Sequence, residues 1–215
     1  MTRPATSNGT AATSTGTVTV TTPGAPESET AAQRARRERI LAATLALAGK
    51  GGYDAVQMRE VAERSEVALG TLYRYFPSKV HLLVSAMAQE VERLSLRLQK
   101  HQAIGETRAE RVAFVLERST RSLQRDPLLT EAMVRALMAA DVTVANEVRT
   151  VREGMAHLIV QAIRGDGPEQ EHDEELAAIL QDVWFARQIA WLGGRIEAAD
   201  VWLDIHLAIQ LVLAD

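Results

Sequence analysis

Small and polar side chains between residues 57 and 79 have the types and spacing needed to contact a nucleic acid. The stretch reads QMREVAERSEVALGTLYRYFPSK. Four consecutive residues in its middle are short enough to let a backbone approach base edges in a major groove about 12 Å wide: Ala68, Leu69, Gly70 and Thr71. The hydroxyl of Thr71 can donate a hydrogen bond, and its methyl group can contact a thymine methyl. We therefore predict that these four residues face the bases.

A second group of side chains around this stretch is suited to phosphates. Tyrosine hydroxyls, a glutamine at a helix start and cationic side chains fix a protein on the duplex without reading its sequence. The predicted phosphate contacts are Arg34, Arg36, Gln57, Tyr73, Tyr75 and Lys79. Met58, beside Gln57, is also predicted to bind DNA.

The elements that must position these side chains are two short helices joined by a turn at residues 65–67. Val61 and Ala62 fall on the inner face of the first helix, and Val67 and Leu72 supply apolar anchors on the other side. This is the layout of a helix-turn-helix, whose second helix enters the major groove. The alternative is a helical hairpin inside an ordinary bundle, but small exposed residues followed by Tyr-Arg-Tyr-Phe-Pro would fill a core poorly.

The charge distribution agrees with DNA binding even though the net charge is −4. Residues 1–80 carry 10 basic and 7 acidic side chains, whereas the remainder carries 14 basic and 21 acidic. Positive charge thus accompanies the helix-turn-helix, as an electrostatic footprint on a polyanion requires.

The hydrophobic pattern predicts an all-α fold of about nine helices and contains no alternating strand pattern of any length. Glycine and proline breaks and a Thr107–Glu110 capping box divide the chain. Predicted helices after the helix-turn-helix begin near residues 79, 107, 126, 142, 171 and 198. We expect a disordered tail at residues 1–30, a DNA-binding domain at 31–78 and a ligand-binding and dimerisation domain at 79–215.

The region from Arg34 to about Leu83 resembles the TetR family of bacterial transcriptional repressors, most specifically in VALGTLYRYFPSKVHLL. Three further segments, GGYDAVQMREVA, RDPLLTEAMVRA and DVWFARQIAW, resemble the actinobacterial KstR-type repressors of sterol catabolism. The resemblance implies a homodimer on a palindromic double-stranded DNA operator, released by a coenzyme A thioester of a steroid intermediate. Glu66 stands where the family often has glycine, which predicts a small cost if its φ is positive.

The C-terminal part contains bulky side chains that are candidates for a ligand cavity. Methionine adapts to bulky guests, and Trp184 and Trp191 are seven residues apart on one helix face, with Gln188 between them as a polar contact. For any one of these residues, plain core packing is the alternative. The predicted ligand-binding residues are Phe114, Met133, Leu137, Met138, Met155, Trp184, Gln188 and Trp191.

The last two predicted helices carry more apolar surface than one core needs, which predicts burial in a second copy of the chain. The residues that indicate this interface are Val183, Ile189, Ala190, Val201, Ile205, Ala208, Ile209 and Val212.

Other function classes find little support in the sequence. No cysteine is present, the five histidines are never three or four residues apart, and no nucleophile or phosphate-binding glycine motif occurs. We therefore expect no enzyme, metal or cofactor. The chain also lacks an apolar run long enough for a membrane span and a signal-peptide core, which predicts a cytoplasmic protein without a membrane partner.

Two regulatory alternatives stay open at this stage. In the first, the protein controls an efflux or fatty-acid operon in response to a drug or a fatty acyl-CoA. In the second, it is an architectural DNA-binding protein without an effector. The large C-terminal part argues against the second alternative, because it would have no purpose there.

Overall fold

The computed structural model describes residues 30–100 and 104–214, which form nine α-helices, one short 3-10 turn at Val142–Val144 and no strand. The all-α prediction is confirmed. The predicted disordered tail lies, apart from Thr30, outside the described residues. The helices are α1 (Ala31–Ala55), α2 (Met58–Arg64), α3 (Leu69–Tyr75), α4 (Lys79–Lys100), α5 (Arg108–Gln124), α6 (Pro127–Met138), α7 (Ala145–Arg164), α8 (Asp173–Leu192) and α9 (Ala198–Val212).

Local signals account for most helix starts. Thr107 forms the predicted capping box with Glu110. The side chain of each residue accepts a hydrogen bond from the backbone N–H of the other. Asp126 accepts a hydrogen bond from the backbone N–H of Leu129, and Pro127 occupies the first turn of α6, where its missing N–H costs nothing.

Helix α1 is interrupted at its C-terminal end by two glycines. Gly51 and Gly52 leave helical geometry, and Gly52 takes φ 68° and ψ −159°, a region open almost only to glycine. A Cβ at Gly52 would lie 3.0 Å from the Glu131 carboxylate. The break therefore turns the chain towards α2 and brings it against α6.

Two hydrophobic cores hold the molecule together. The first core contains residues of the four helices α1, α2, α3 and α4, of α6 and of the start of α7. It includes Ile40, Leu72, Phe76 and Met133. The second joins α5, α7, α8 and α9 with the C-terminal half of α4. Helix α4 contributes to both, so it connects the DNA-binding elements with the C-terminal helices.

The arrangement of the C-terminal helices leaves one notable gap. Helices α4 and α5 both pack extensively against α7, but the described parts of α4 and α5 scarcely approach each other. The space between them opens towards the second core.

The apolar surface of α8 and α9 differs from the prediction. Val201, Ile205 and Ile209, expected at a dimer interface, are at most 1% exposed and belong to the second core. The exposed apolar side chains lie elsewhere on the two helices: Ile179, Leu203, Leu207 and Leu211. Those of α9 recur every four residues, so they form one outward stripe. Both faces of α9 are apolar, and the periodicity alone did not show which face meets the core.

None of the helices within the described ranges has the length and apolar character needed to cross a membrane.

Candidate DNA interface and ligand-binding region

Helices α2 and α3 and the turn between them form the predicted helix-turn-helix. The turn is closed by hydrogen bonds from Val67 N to Ala62 O (3.0 Å) and from Ser65 Oγ to Val61 O (2.6 Å). Glu66 takes φ 56°, a left-handed conformation that glycine adopts most easily. The strain expected at this position is therefore present.

Helix α3 buries one side and exposes the other. Leu72 is fully buried, whereas Gly70 is exposed and a Cβ built there would meet nothing within 4 Å. Ala68, the N-cap, is also exposed, and Leu69 and Thr71 are half-buried. Nothing inside the protein needs glycine at residue 70, which agrees with a close approach from outside.

The predicted phosphate contacts on α2 and α3 differ in exposure. Tyr73 is 47% exposed, Tyr75 is half-buried, and Gln57 is the exposed N-cap of α2. The side chains of Met58 and Tyr75 both pack partly against the first core.

The arginines at the start of α1 divide between solvent and core contacts. Arg34 is exposed and Arg36 is half-buried. The guanidinium of the neighbouring Arg37 lies 5.2 Å from the ring centre of Phe76, so this arginine packs against the buried end of α3.

Lys79 is engaged within the protein. Its Nζ donates to the carbonyl oxygen of Tyr53 at 3.0 Å and lies 4.0 Å from the Tyr53 ring centre. Burial lowers the pKa of Lys79; the Asp54 carboxylate opposes this shift, and the charge of Arg135 adds to it. In this conformation Lys79 joins α4 to the end of α1, and its role as a phosphate contact stays a prediction.

A cluster around Tyr53 connects α6 with the DNA-binding elements, and sequence reasoning missed it. The Arg135 guanidinium lies 4.4 Å from the Tyr53 ring centre, and its Nη1 lies 3.2 Å from Asp54 Oδ2. Glu131 accepts a hydrogen bond from the backbone N–H of Tyr53 at 3.3 Å. The residues in these contacts are 78 to 82 positions apart in the sequence, so no local pattern predicts them.

His81 makes a second connection near the start of α4. One ring nitrogen lies 2.9 Å from Ser78 Oγ and the other 2.9 Å from the carbonyl oxygen of Thr143. Asp141 is the N-cap of the 3-10 turn that contains Thr143. It accepts hydrogen bonds from the Thr143 hydroxyl and backbone N–H, and these lower the pKa of Asp141. These hydrogen bonds hold the segment between α6 and α7 against His81. His81 lies in the first turn of α4, which begins shortly after the end of α3.

The eight predicted ligand-binding residues do not surround one cavity. Met133 and Leu137 pack with the first core, Met138 is 65% exposed, and Phe114, Met155, Trp184 and Trp191 pack with the second core. Phe114 and Leu137 line two separate surface cavities. The methionines thus fill different parts of the fold, and a ligand role for all eight stays a prediction.

A buried polar network lies within the second core. Trp184 Nε1 donates to Thr120 Oγ1 at 2.9 Å, and Gln188 Nε2 approaches the same oxygen at 3.4 Å. Gln188 is fully buried, yet its Oε1 has no hydrogen-bond partner among the residues that the structure describes. A buried carbonyl without a partner is costly, so Gln188 has more polar capacity than this conformation uses.

Two of the cavities beside helix α4 share lining residues. One of about 500 Å³ lies between α4, α5 and α7, and one of about 550 Å³ lies between α1, α4 and α7. Ser95 and His157 line both of them. The second cavity also contacts Arg37 and Leu41 of α1, so it adjoins the DNA-binding elements. Across residues 30–98 and 104–214, no group of three potential metal ligands comes together.

Comparison with known proteins agrees with this geometry. Residues 40–86 match the family described as bacterial regulatory proteins, tetR family, and residues 105–212 match the tetracyclin repressor-like C-terminal domain. The chain is 49% identical over 199 residues to the HTH-type transcriptional repressor KstR of Rhodococcus jostii, covering 93% of this chain and 92% of that protein. The chain belongs to the TetR family. It is a transcription regulator with a DNA-binding helix-turn-helix, and not an enzyme.

Solved structures of the TetR family show the same fold. A TetR transcriptional regulator from Rhodococcus sp. RHA1 superposes with a TM-score of 0.78 at 36% identity, covering 86% of this chain and 98% of that one. FadR of Thermus thermophilus, solved in complex with lauroyl-CoA, superposes with a TM-score of 0.68 at 21% identity, covering 82% and 93%.

Proposed function

We propose that this TetR-family protein represses genes of steroid or other lipid catabolism by binding a palindromic operator as a homodimer. The observation that carries the proposal is the 49% identity to a KstR repressor along 93% of the chain. The exposed side of α3, from Ala68 to Thr71, supplies the surface for base edges. Because these side chains are short, methyl contacts, phosphates and DNA shape contribute much of the recognition.

The dimer is supported by the exposed apolar side chains of α8 and α9. Leu203, Leu207 and Leu211 are 65%, 58% and 73% exposed. A two-fold interface would cover this stripe and double the DNA contact onto two half-sites.

The effector in this proposal is a coenzyme A thioester of a steroid intermediate, as the KstR-type resemblance implies. It binds among the C-terminal helices and shifts α4, which begins four residues after α3 ends. The Tyr53 and His81 contacts transmit that shift to the α3 helices of the two subunits. The spacing of these helices then no longer matches that of successive major grooves. By reciprocity, the effector binds the DNA-free conformation more tightly.

A mobility-shift assay on the protein's own upstream region tests the proposal. The complex is challenged in parallel with a steroid acyl-CoA, a fatty acyl-CoA and the free steroid. Release by the steroid acyl-CoA alone is expected. Release by the fatty acyl-CoA alone would favour a fatty-acid operon instead, and unchanged operator affinity with all three would exclude the mechanism.

A further inference from the structure

A basic groove lies between the C-terminal half of α4 and helix α5. It has a volume of about 270 Å³ and is lined by Leu94, Arg97, Phe114, Glu117, Arg118, Arg121, Ser122 and Arg125. Four guanidinium groups and one carboxylate therefore share a single concave surface. Residues 81–215 as a whole are acidic, so this groove reverses the charge of the body around it.

Most of the positive charge in the basic groove is not neutralised by the protein. Arg121 forms an ion pair with Glu117 one turn away. Within the part of the chain that the structure describes, Arg97, Arg118 and Arg125 form no ion pair. Guanidinium groups bind phosphates through two parallel hydrogen bonds, so three of them in one groove suit a ligand with several phosphates.

The floor of the basic groove is apolar and adjoins a cavity. Leu94 and Phe114 are half-buried and pack against the second core. One turn along α4, Leu98 lines the 500 Å³ cavity, as does Val115, the neighbour of Phe114. A molecule with a phosphorylated end in the groove can therefore extend its apolar part along the gap between α4 and α5.

We propose that the basic groove binds the phosphorylated nucleotide end of a coenzyme A thioester. The proposal rests on the proposed function, since it places the head of that effector class. The arginines hold the pyrophosphate and the 3′-phosphate, and Leu94 and Phe114 contact the adenine. The operator is a poorer occupant, because Arg97 lies 18 residues beyond the start of α4, roughly 27 Å along the helix at 1.5 Å per residue.

Calorimetric titration of the full chain with coenzyme A and with 3′,5′-ADP, at low and moderate salt, tests the groove directly. We expect both to bind the wild type, more weakly as salt rises, and at least tenfold more weakly to an R118Q/R125Q variant. The matched control is R149Q/R195Q, which removes two other exposed arginines and changes the net charge equally. Equal affinity of the wild type and R118Q/R125Q, or no binding to the wild type, would overturn the proposal.

Measuring how much effector releases the operator distinguishes a failure of the groove assignment from a failure of the proposed function. If a steroid acyl-CoA released the wild type and R118Q/R125Q at the same concentration, the effector class would stand and the groove would be wrong. If coenzyme A bound the groove but no thioester released the operator, the groove would stand and the proposed effector would fall. Weaker operator binding by ligand-free R118Q/R125Q than by R149Q/R195Q would identify a DNA contact and overturn the groove assignment.

Discussion

The guanidinium of Arg135 lies 4.4 Å from the centre of the Tyr53 ring, which attaches α6 to the end of α1. Replacing Arg135 with glutamine removes this cation–π contact and the ion pairs to Asp54 and Glu131. Arg135 is half exposed, so we expect a loss of only about 1 kcal/mol in the free energy of unfolding.

The larger effect of R135Q should appear in the response to effector. If α6 transmits the signal through Tyr53, the concentration of effector that releases half of the operator will rise. Urea unfolding and a mobility-shift titration measure the two quantities. Arg149→Gln, which breaks an exposed ion pair on α7, is the control, and an equal change in that variant would contradict the coupling role.

The left-handed conformation of Glu66 gives a stability prediction. Glycine adopts φ near 56° without the steric penalty that a Cβ causes, and that gain exceeds its extra entropy in the unfolded chain. Glu66→Gly should therefore raise the free energy of unfolding by up to about 1 kcal/mol. Glu66→Ala keeps the Cβ and should give no gain. Equal stability of the two variants in urea titration would argue against strain at this turn.

Gly70 allows folding and DNA binding to be separated. A Cβ there would have no described atom of another part of the protein within 4 Å, and alanine favours a helix over glycine, so Gly70→Ala should stabilise the fold by up to about 1 kcal/mol. If the backbone of α3 approaches the bases, the same methyl group should weaken operator binding. Thermal unfolding and mobility shift would show opposite signs, whereas unchanged operator affinity would place Gly70 outside the interface.

The outward stripe of α9 predicts the oligomeric state. Leu207→Glu should convert the proposed dimer to a monomer, because each two-fold interface would then bury two carboxylates, at a cost of roughly 3 kcal/mol or more. Light scattering after size-exclusion chromatography measures the mass. Val142→Glu, at a residue 89% exposed before α7, should leave the mass unchanged. A dimer that survives L207E would place the interface elsewhere.

Gln188 gives a test of the buried polar network. Within the described part of the chain its Oε1 has no hydrogen-bond partner, so Gln188→Leu should stabilise the ligand-free protein by about 1 kcal/mol. Thr120→Val should instead destabilise it by about 1–3 kcal/mol, because Trp184 Nε1 loses its acceptor. If Gln188 contacts the effector, Q188L will combine greater stability with weaker effector binding. A destabilised Q188L would show that the amide has a structural role.

The sequence was sufficient where structure depends on near neighbours. The capping box at Thr107 and Pro127 at the start of α6 are local, and the positive φ of Glu66 follows from turn geometry. The helix-turn-helix was equally accessible because its pattern occupies fewer than 25 residues.

Pairings between distant helices were not accessible in the same way. Arg97 of α4 and Arg118 of α5 line one groove only after folding, and the sequence reasoning did not identify them. Met133 looked like a cavity residue, yet it packs in the first core because α6 lies against α1. Composition identified bulky side chains but not the neighbours that surround them.

The first core has a consequence for exchanging parts between relatives. Ala132, Met133 and Val151 are buried in it together with Ile40 and Leu72, so the unit that folds extends far beyond the end of α3. A chimeric regulator spliced at residue 78 would separate α1 from the helix that covers it. Recombination between such regulators is thus favoured at junctions that keep α1, α6 and the start of α7 from one parent.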